Sequence, residues 1–122
     1  MPQTLHDIKV DPRNADILIS INGTLFPRDK AVVSVFDSGF ILGDGVWEGL
    51  RLVNGGVPFL YAHIERLYEG AKAIYMDVGV TPVELVKRLF DCIDANKMQD
   101  GVHVRLMVTR GVKATPYQDP RV

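Results

Sequence analysis

The order of hydrophobic periodicities along the chain is the feature that most limits its fold. Short segments with strand-like alternation occupy the first half, two segments with helical periodicity follow one another, and a last strand-like segment comes after them. Strands and helices are thus segregated along the sequence. This order predicts an α+β domain in which an antiparallel sheet carries two helices packed on one face.

Two hairpins are predicted in the first half. Ile17, Ile19 and Ile21 alternate with other residues, and Asn22-Gly23 tolerates the positive φ angles of a type I′ turn before a return strand that ends at Pro27. A glycine-spaced segment, residues 36–45, indicates a backbone that turns tightly or lies close to another part of the protein. Residues 46–53 and 57–60 are then predicted to pair across a turn at residues 54–56.

The two helices and the final strand carry the clearest patterns. Apolar residues recur at helical spacing at Ile64, Leu67, Tyr68, Ala71, Ile74 and Tyr75 in the first helix, and at Leu85, Val86, Leu89, Phe90 and Ile93 in the second. Thr81-Pro82-Val83-Glu84 matches a capping box, and the second helix is expected to end near Asn96. Val102–Thr109 alternates, which places Arg105 on the face opposite the aliphatic residues.

Composition excludes several classes of protein. The 122 residues are 47% hydrophobic and 24% charged, with a formal net charge of −1, which favours one globular domain over a nucleic-acid binder with a basic surface. A single cysteine, Cys92, excludes an internal disulfide and a cysteine-based zinc site. Three scattered histidines indicate no metal site, and no apolar run approaches the roughly 20 residues of a membrane span. Without a secretory signal at its start, the protein is expected to be cytoplasmic.

Two arginines are candidates for binding an anion. Arg66 lies beside the apolar stripe of the first helix, where a guanidinium could bind phosphate or carboxylate, although a surface pair with Glu65 or Glu69 explains it as well. Arg105 could hold a substrate carboxylate, or could lie on a solvent-exposed sheet face.

Other polar and aromatic residues have structural explanations from sequence alone. Phe40 and Trp47 flank the glycine turn and could line a pocket or belong to the core. Glu48 is an acid among apolar strand residues, which favours a buried carboxylate bonded to backbone amides. No lysine is placed where desolvation would lower its pKa for imine chemistry, so no catalytic residue is predicted in this chain.

Four segments in this order resemble the N-terminal domain of class IV aminotransferases, the fold-type IV pyridoxal-phosphate enzymes. That family includes branched-chain and D-amino acid aminotransferases, (R)-selective amine transaminases and aminodeoxychorismate lyases. The segments are residues 17–25, 37–51, 63–67 and 104–111, and the resemblance covers about residues 17–112.

The resemblance implies roles for particular residues. Arg66 of the His-x-x-Arg-Leu segment would bind the phosphate of pyridoxal 5′-phosphate, and Arg105 would contribute to recognition of the substrate carboxylate. Phe40, Leu42 and Trp47 would line the substrate pocket. Phe40 and Leu42 replace tyrosines of some members, and residues 115–117 replace an Arg-x-His pair, so substrate and stereochemical preference stay open. The run from Glu48 to Arg51 favours the branched-chain side.

The resemblance also implies a domain organisation. Residues 1–16 are expected to be an irregular lead-in, residues 17–112 the class IV N-terminal domain and residues 113–122 an interdomain linker. The lysine that binds the cofactor covalently belongs to a C-terminal domain that this chain is expected to lack, so the chain alone is expected not to transaminate. A small amino acid or 2-oxo acid substrate and a homo-oligomer are implied. An aminodeoxychorismate-type lyase, a non-catalytic binding or dimerisation module and an unrelated α+β domain are the alternatives.

Overall fold

Residues 10–114 are described by a computed structural model, in which the chain divides into two units after Val32. The remaining parts of the expected lead-in and linker, residues 1–9 and 115–122, lie outside the described residues. In the first unit, β1 (Leu18–Ile21) and β2 (Thr24–Pro27) form the predicted antiparallel hairpin. Asn22 and Gly23 have φ angles of 53° and 82°, as the predicted type I′ turn requires.

The described part of the second unit, residues 33–114, contains three helices and two strands. In chain order they are α1 (Ser38–Leu42), β3 (Gly45–Leu52), α2 (Leu60–Ala73), α3 (Pro82–Ala95) and β4 (Val102–Thr109). β3 and β4 are antiparallel over their full length, so that Gly45 lies opposite Thr109 and Leu52 opposite Val102. The α+β class and the alternation predicted for β4 are therefore confirmed, although the described strands form two separate two-stranded sheets.

The predicted second hairpin is wrong. Residues 57–60 form no strand, because Pro58 lacks an N–H for a ladder and Phe59 adopts a left-handed φ of 57° immediately before α2 begins at Leu60. Only an isolated bridge joins Val53 to Gly56. The partner of β3 is instead β4, which matches all eight of its residues.

The core lies between one face of the β3–β4 sheet and the two long helices. Leu50 and Leu52 are fully buried against Leu89 and Ile93 of α3. A second cluster joins Ile64 and Leu67 of α2 to Leu85 of α3, and Val46, Leu106 and Val108 pack against it. These contacts confirm the prediction that both helices pack on one face of the sheet.

The ends of the helices show where sequence patterns succeeded and failed. The hydroxyl of Thr81 accepts the Glu84 N–H at 3.2 Å, and α3 stops at Ala95, so the N-cap and the end of the helix are confirmed. The reciprocal half of the predicted capping box is not formed, because the Glu84 carboxylate accepts from Arg88 instead. Tyr75, assigned to the apolar stripe of α2, is instead 88% exposed with a φ of 56°, because the helix has already ended at Ala73.

The glycine-spaced segment contains a short helix that the tight-turn prediction missed. The Asp37 carboxylate accepts the Gly39 N–H at 2.8 Å at the start of α1, and Gly43 ends the helix with a φ of 65°. A side-chain cap and a left-handed glycine therefore define a single helical turn before β3.

Candidate functional site

A groove of about 580 Å³ lies beside β3, where α2 passes along it. It is lined by residues 45–49 of β3 and by Arg66, Leu67 and Gly70 of α2. Gly70 brings the helix close to the strand, since a Cβ there would lie 3.3 Å from the Val46 side chain. The volume falls in the ordinary range of small-molecule sites.

A buried carboxylate forms one wall of the groove. Glu48 is only 3% exposed, because its position in β3 places it on the sheet face that the helices cover. Its carboxylate accepts hydrogen bonds of 2.6 Å from both Nε and Nη2 of Arg66, and lies 2.8 Å from Nδ1 of His63. The expectation that Glu48 binds backbone amides is corrected: both partners are side chains, three residues apart on one face of α2.

These contacts keep Glu48 ionised. Hydrogen bonds from Arg66 and, to a smaller extent, from His63 together lower the pKa of Glu48 from 4.5 to about 2, against the opposing effect of burial. The same pairing raises the pKa of Arg66. The groove therefore contains an ion pair whose two charges persist throughout the physiological pH range.

Arg66 presents unused hydrogen-bond donors at the groove. Its side chain is 70% exposed although one edge of the guanidinium is fixed by Glu48. Among the described residues, Nη1 has no hydrogen-bond acceptor, and Nη2 has a second contact only at 3.5 Å, with His63. The alternative pairing with Glu65 or Glu69 is not what the structure shows. A fixed guanidinium with free N–H groups suits a phosphate.

Trp47 and Arg105 form a second element at the groove. Trp47 lines it and is 55% exposed, and the guanidinium carbon of Arg105 lies 3.7 Å from the centroid of a Trp47 ring. This cation–π contact lies on the sheet face opposite Glu48, because residues alternate along β3 and β4. Trp47 is therefore not a core residue. Arg105 lies on an exposed sheet face, as one of the two sequence interpretations expected, and is held there against the Trp47 ring.

The remaining predicted site residues lie on α1. Phe40 is 69% exposed and Leu42 is 40% exposed, and both are outside the groove that Arg66 and Trp47 line. The groove is thus lined by Arg66 and Trp47. Arg105 contacts Trp47 on the opposite sheet face, and Phe40 and Leu42 are exposed on α1 outside the groove.

A second buried ion pair, which the sequence patterns did not reveal, fixes the turn before β3. Asp44 accepts hydrogen bonds from Nε and Nη2 of Arg110 at 2.7 and 3.2 Å. Arg110 also donates to the carbonyl oxygens of Ile74 and Tyr75 at 2.6 and 3.1 Å, where α2 ends. One guanidinium therefore ties the end of β4 to the turn and to the helix that carries Arg66.

Lys113, assigned from sequence to the linker, is only 3% exposed, and its backbone N–H donates to the Phe36 carbonyl oxygen at 2.9 Å. Over residues 10–114, no group of three or more histidine, cysteine or acidic residues could hold a metal ion. No helix in that range is long and apolar enough to cross a membrane.

Comparison with known proteins decides the family. Residues 45–122, which include β3, α2, α3 and β4, match the model of amino-transferase class IV. This chain belongs to the class IV aminotransferase family. Its α+β class is accordingly the one that the sequence resemblance led us to expect.

Individual class IV relatives are similar over most of this chain. Branched-chain-amino-acid aminotransferase-like protein 1 of Arabidopsis thaliana is 40% identical over 89% of the chain, and a putative branched-chain-amino-acid aminotransferase of Methanocaldococcus jannaschii is 42% identical over 77%. The branched-chain aminotransferase of the thermophilic archaeon Thermoproteus uzoniensis, solved with norvaline, is 33% identical over 74%, with a TM-score of 0.66. The chain spans 20%, 32% and 32% of these three proteins, respectively.

Proposed function

We propose that this chain supplies the cofactor-phosphate anchor and part of the substrate site of a pyridoxal-phosphate-dependent aminotransferase. The enzyme would move an amino group between an amino acid or amine and a 2-oxo acid, with branched-chain substrates favoured by the relatives and by the Glu48–Arg51 run. The observation that carries the proposal is Arg66, whose guanidinium is fixed on one edge and exposed to the groove on the other.

The residues present fit the phosphate of pyridoxal 5′-phosphate. Arg66 offers a permanent positive charge and free N–H donors in a fork that matches two phosphate oxygens. Gly45, Gly49 and Gly70 add no side chains to the groove, which leaves space beside the guanidinium. The cofactor, when bound, supplies the electron sink that amino-group transfer requires.

The substrate side is proposed for Trp47 and Arg105. The Arg105 guanidinium stacks on the Trp47 indole, which restricts its position and leaves its N–H groups able to bind a carboxylate. Phe40 and Leu42 are proposed as apolar contacts for the substrate, and their exposure on α1 supports a surface that another part of the active enzyme covers.

The protein from the complete reading frame provides the test. Arg66→Gln is expected to raise the dissociation constant of pyridoxal 5′-phosphate about 10-fold or more, because a charge-assisted hydrogen-bonding group is lost. Arg88→Gln is the matched control, since Arg88 lies on α3, pairs with Glu84 and is outside the groove. An unchanged dissociation constant in Arg66→Gln would contradict the phosphate role.

The reaction is tested with L-leucine as amino donor and 2-oxoglutarate as acceptor. Formation of the branched-chain 2-oxo acid together with glutamate supports a transaminase. L-Leucine carries no leaving group, so the lyase alternative needs a second assay with an amino compound that has a β leaving group. Elimination from that compound without use of the acceptor supports the lyase. We also propose a cytoplasmic location and a homo-oligomeric state. The exposed apolar side chains of Val33, Val35 and Phe36 support self-association, and sedimentation of the same protein measures its oligomeric state.

A further inference from the structure

Glu48, the buried acid that pairs with Arg66, is bonded more extensively than neutralising the charge of an exposed arginine would require. An exposed arginine requires no partner, whereas a carboxylate that is 3% exposed on the covered face of a strand is costly unless both of its oxygens are satisfied. Glu48 meets that condition entirely through side chains of α2, from Arg66 and His63.

The geometry of the three side chains restricts the guanidinium. Two parallel hydrogen bonds of 2.6 Å hold Nε and Nη2 of Arg66, so the plane of the group cannot turn about its last bonds without breaking one of them. His63 contacts the same Oε2 atom that accepts Nη2, at 2.8 Å, and is itself only 23% exposed. The carboxylate is therefore fixed from a second direction.

We infer that Glu48 is a positioning residue, which, together with His63, orients the free N–H groups of Arg66 toward the cofactor phosphate. This inference rests on the proposed function, because it requires Arg66 to bind that phosphate. Because the Arg66 side chain is already ordered by these contacts, less conformational entropy is lost when the phosphate binds. Neither Glu48 nor His63 needs to touch the cofactor for this effect.

The test compares two probes that differ only in the phosphate. The apoprotein from the complete reading frame is titrated with pyridoxal 5′-phosphate and with pyridoxal, for the parent protein and for Glu48→Gln. The amide keeps the shape of the side chain but cannot accept both hydrogen bonds from Arg66. We expect the dissociation constant of pyridoxal 5′-phosphate to rise about 10-fold, and that of pyridoxal to change less than about twofold.

Two further variants make the result decisive. His63→Leu removes the His63 contact to the Glu48 carboxylate and keeps a side chain of similar size. The dissociation constant is therefore expected to rise only about threefold for pyridoxal 5′-phosphate and not for pyridoxal. This variant replaces Glu48→Gln if Glu48→Gln does not fold. Glu84→Gln removes an exposed acid that pairs with Arg88 on α3, and is expected to change neither constant.

The outcomes separate this inference from the proposed function. Equal weakening of both probes in Glu48→Gln indicates a general structural role and overturns the inference. An unchanged affinity in Glu48→Gln, with weakened phosphate-dependent binding in Arg66→Gln, also overturns it while the proposed function stands. If Arg66→Gln itself leaves the affinity unchanged, the proposed function fails and the inference fails with it.

Discussion

Replacing Glu48 by glutamine should destabilise the fold in a strongly pH-dependent way. The pKa of this carboxyl is lowered from 4.5 to about 2 in the folded chain, chiefly by hydrogen bonds from Arg66. That difference corresponds to about 3 kcal/mol of folding free energy when the group is ionised. Because the Arg66 side chain is 70% exposed, water screens part of the interaction, and we expect a loss of about 2 kcal/mol at pH 7.

The sign of the pH dependence follows from the lowered pKa. Since the carboxyl releases its proton more readily in the folded than in the unfolded chain, its contribution is complete above about pH 5 and is lost as the pH falls from 4.5 toward 2. Glutamine does not titrate. The difference in unfolding free energy between the parent and Glu48→Gln should therefore shrink by more than half between pH 7 and pH 3.

Urea denaturation followed by far-ultraviolet circular dichroism measures this difference. Urea is preferred to guanidinium chloride because a salt would screen the ion pair. Glu84→Gln is the matched control: Glu84 is 46% exposed and pairs with Arg88 at 3.3 Å, so its loss should stay below about 0.5 kcal/mol at every pH. A Glu48→Gln loss as small as the control, or one that is constant from pH 7 to pH 3, would refute the reasoning.

Two further changes test local parts of the fold by the same denaturation measurement. Thr81→Ala should cost about 1 kcal/mol because the Glu84 N–H at the start of α3 loses its acceptor, whereas Thr81→Ser should cost much less; equal losses would contradict a capping role. Gly45→Ala should cost about 1–3 kcal/mol, since its Cβ would lie 2.6 Å from the Val108 backbone oxygen. Gly56→Ala, whose Cβ meets nothing closer than 3.8 Å, is the control and should change stability by less than about 0.5 kcal/mol.

Local patterns in the sequence determined much of the secondary structure. The Asn22-Gly23 turn, the cap at Thr81 and the alternation of Val102–Thr109 were predictable because each depends on residues close together in the chain. The four motifs also sufficed to indicate the class IV family. The His-x-x-Arg-Leu motif identified Arg66 as a candidate site residue, and in the structure Arg66 lines the groove.

Contacts between distant segments were decided only by the tertiary structure. Strand β3 could have paired with nearby residues 57–60, but it pairs with β4, about fifty residues further along, because only β4 matches its length and covers the same helices. Glu48 shows the same limit. An acid on an apolar strand face indicates that a buried partner exists, and His63 and Arg66 lie at helical spacing. Neither pattern, however, predicts that Glu48 pairs with these two side chains. Burial of a carboxylate is tolerable only once folding brings its partners within 3 Å, and that proximity is a property of the packed chain.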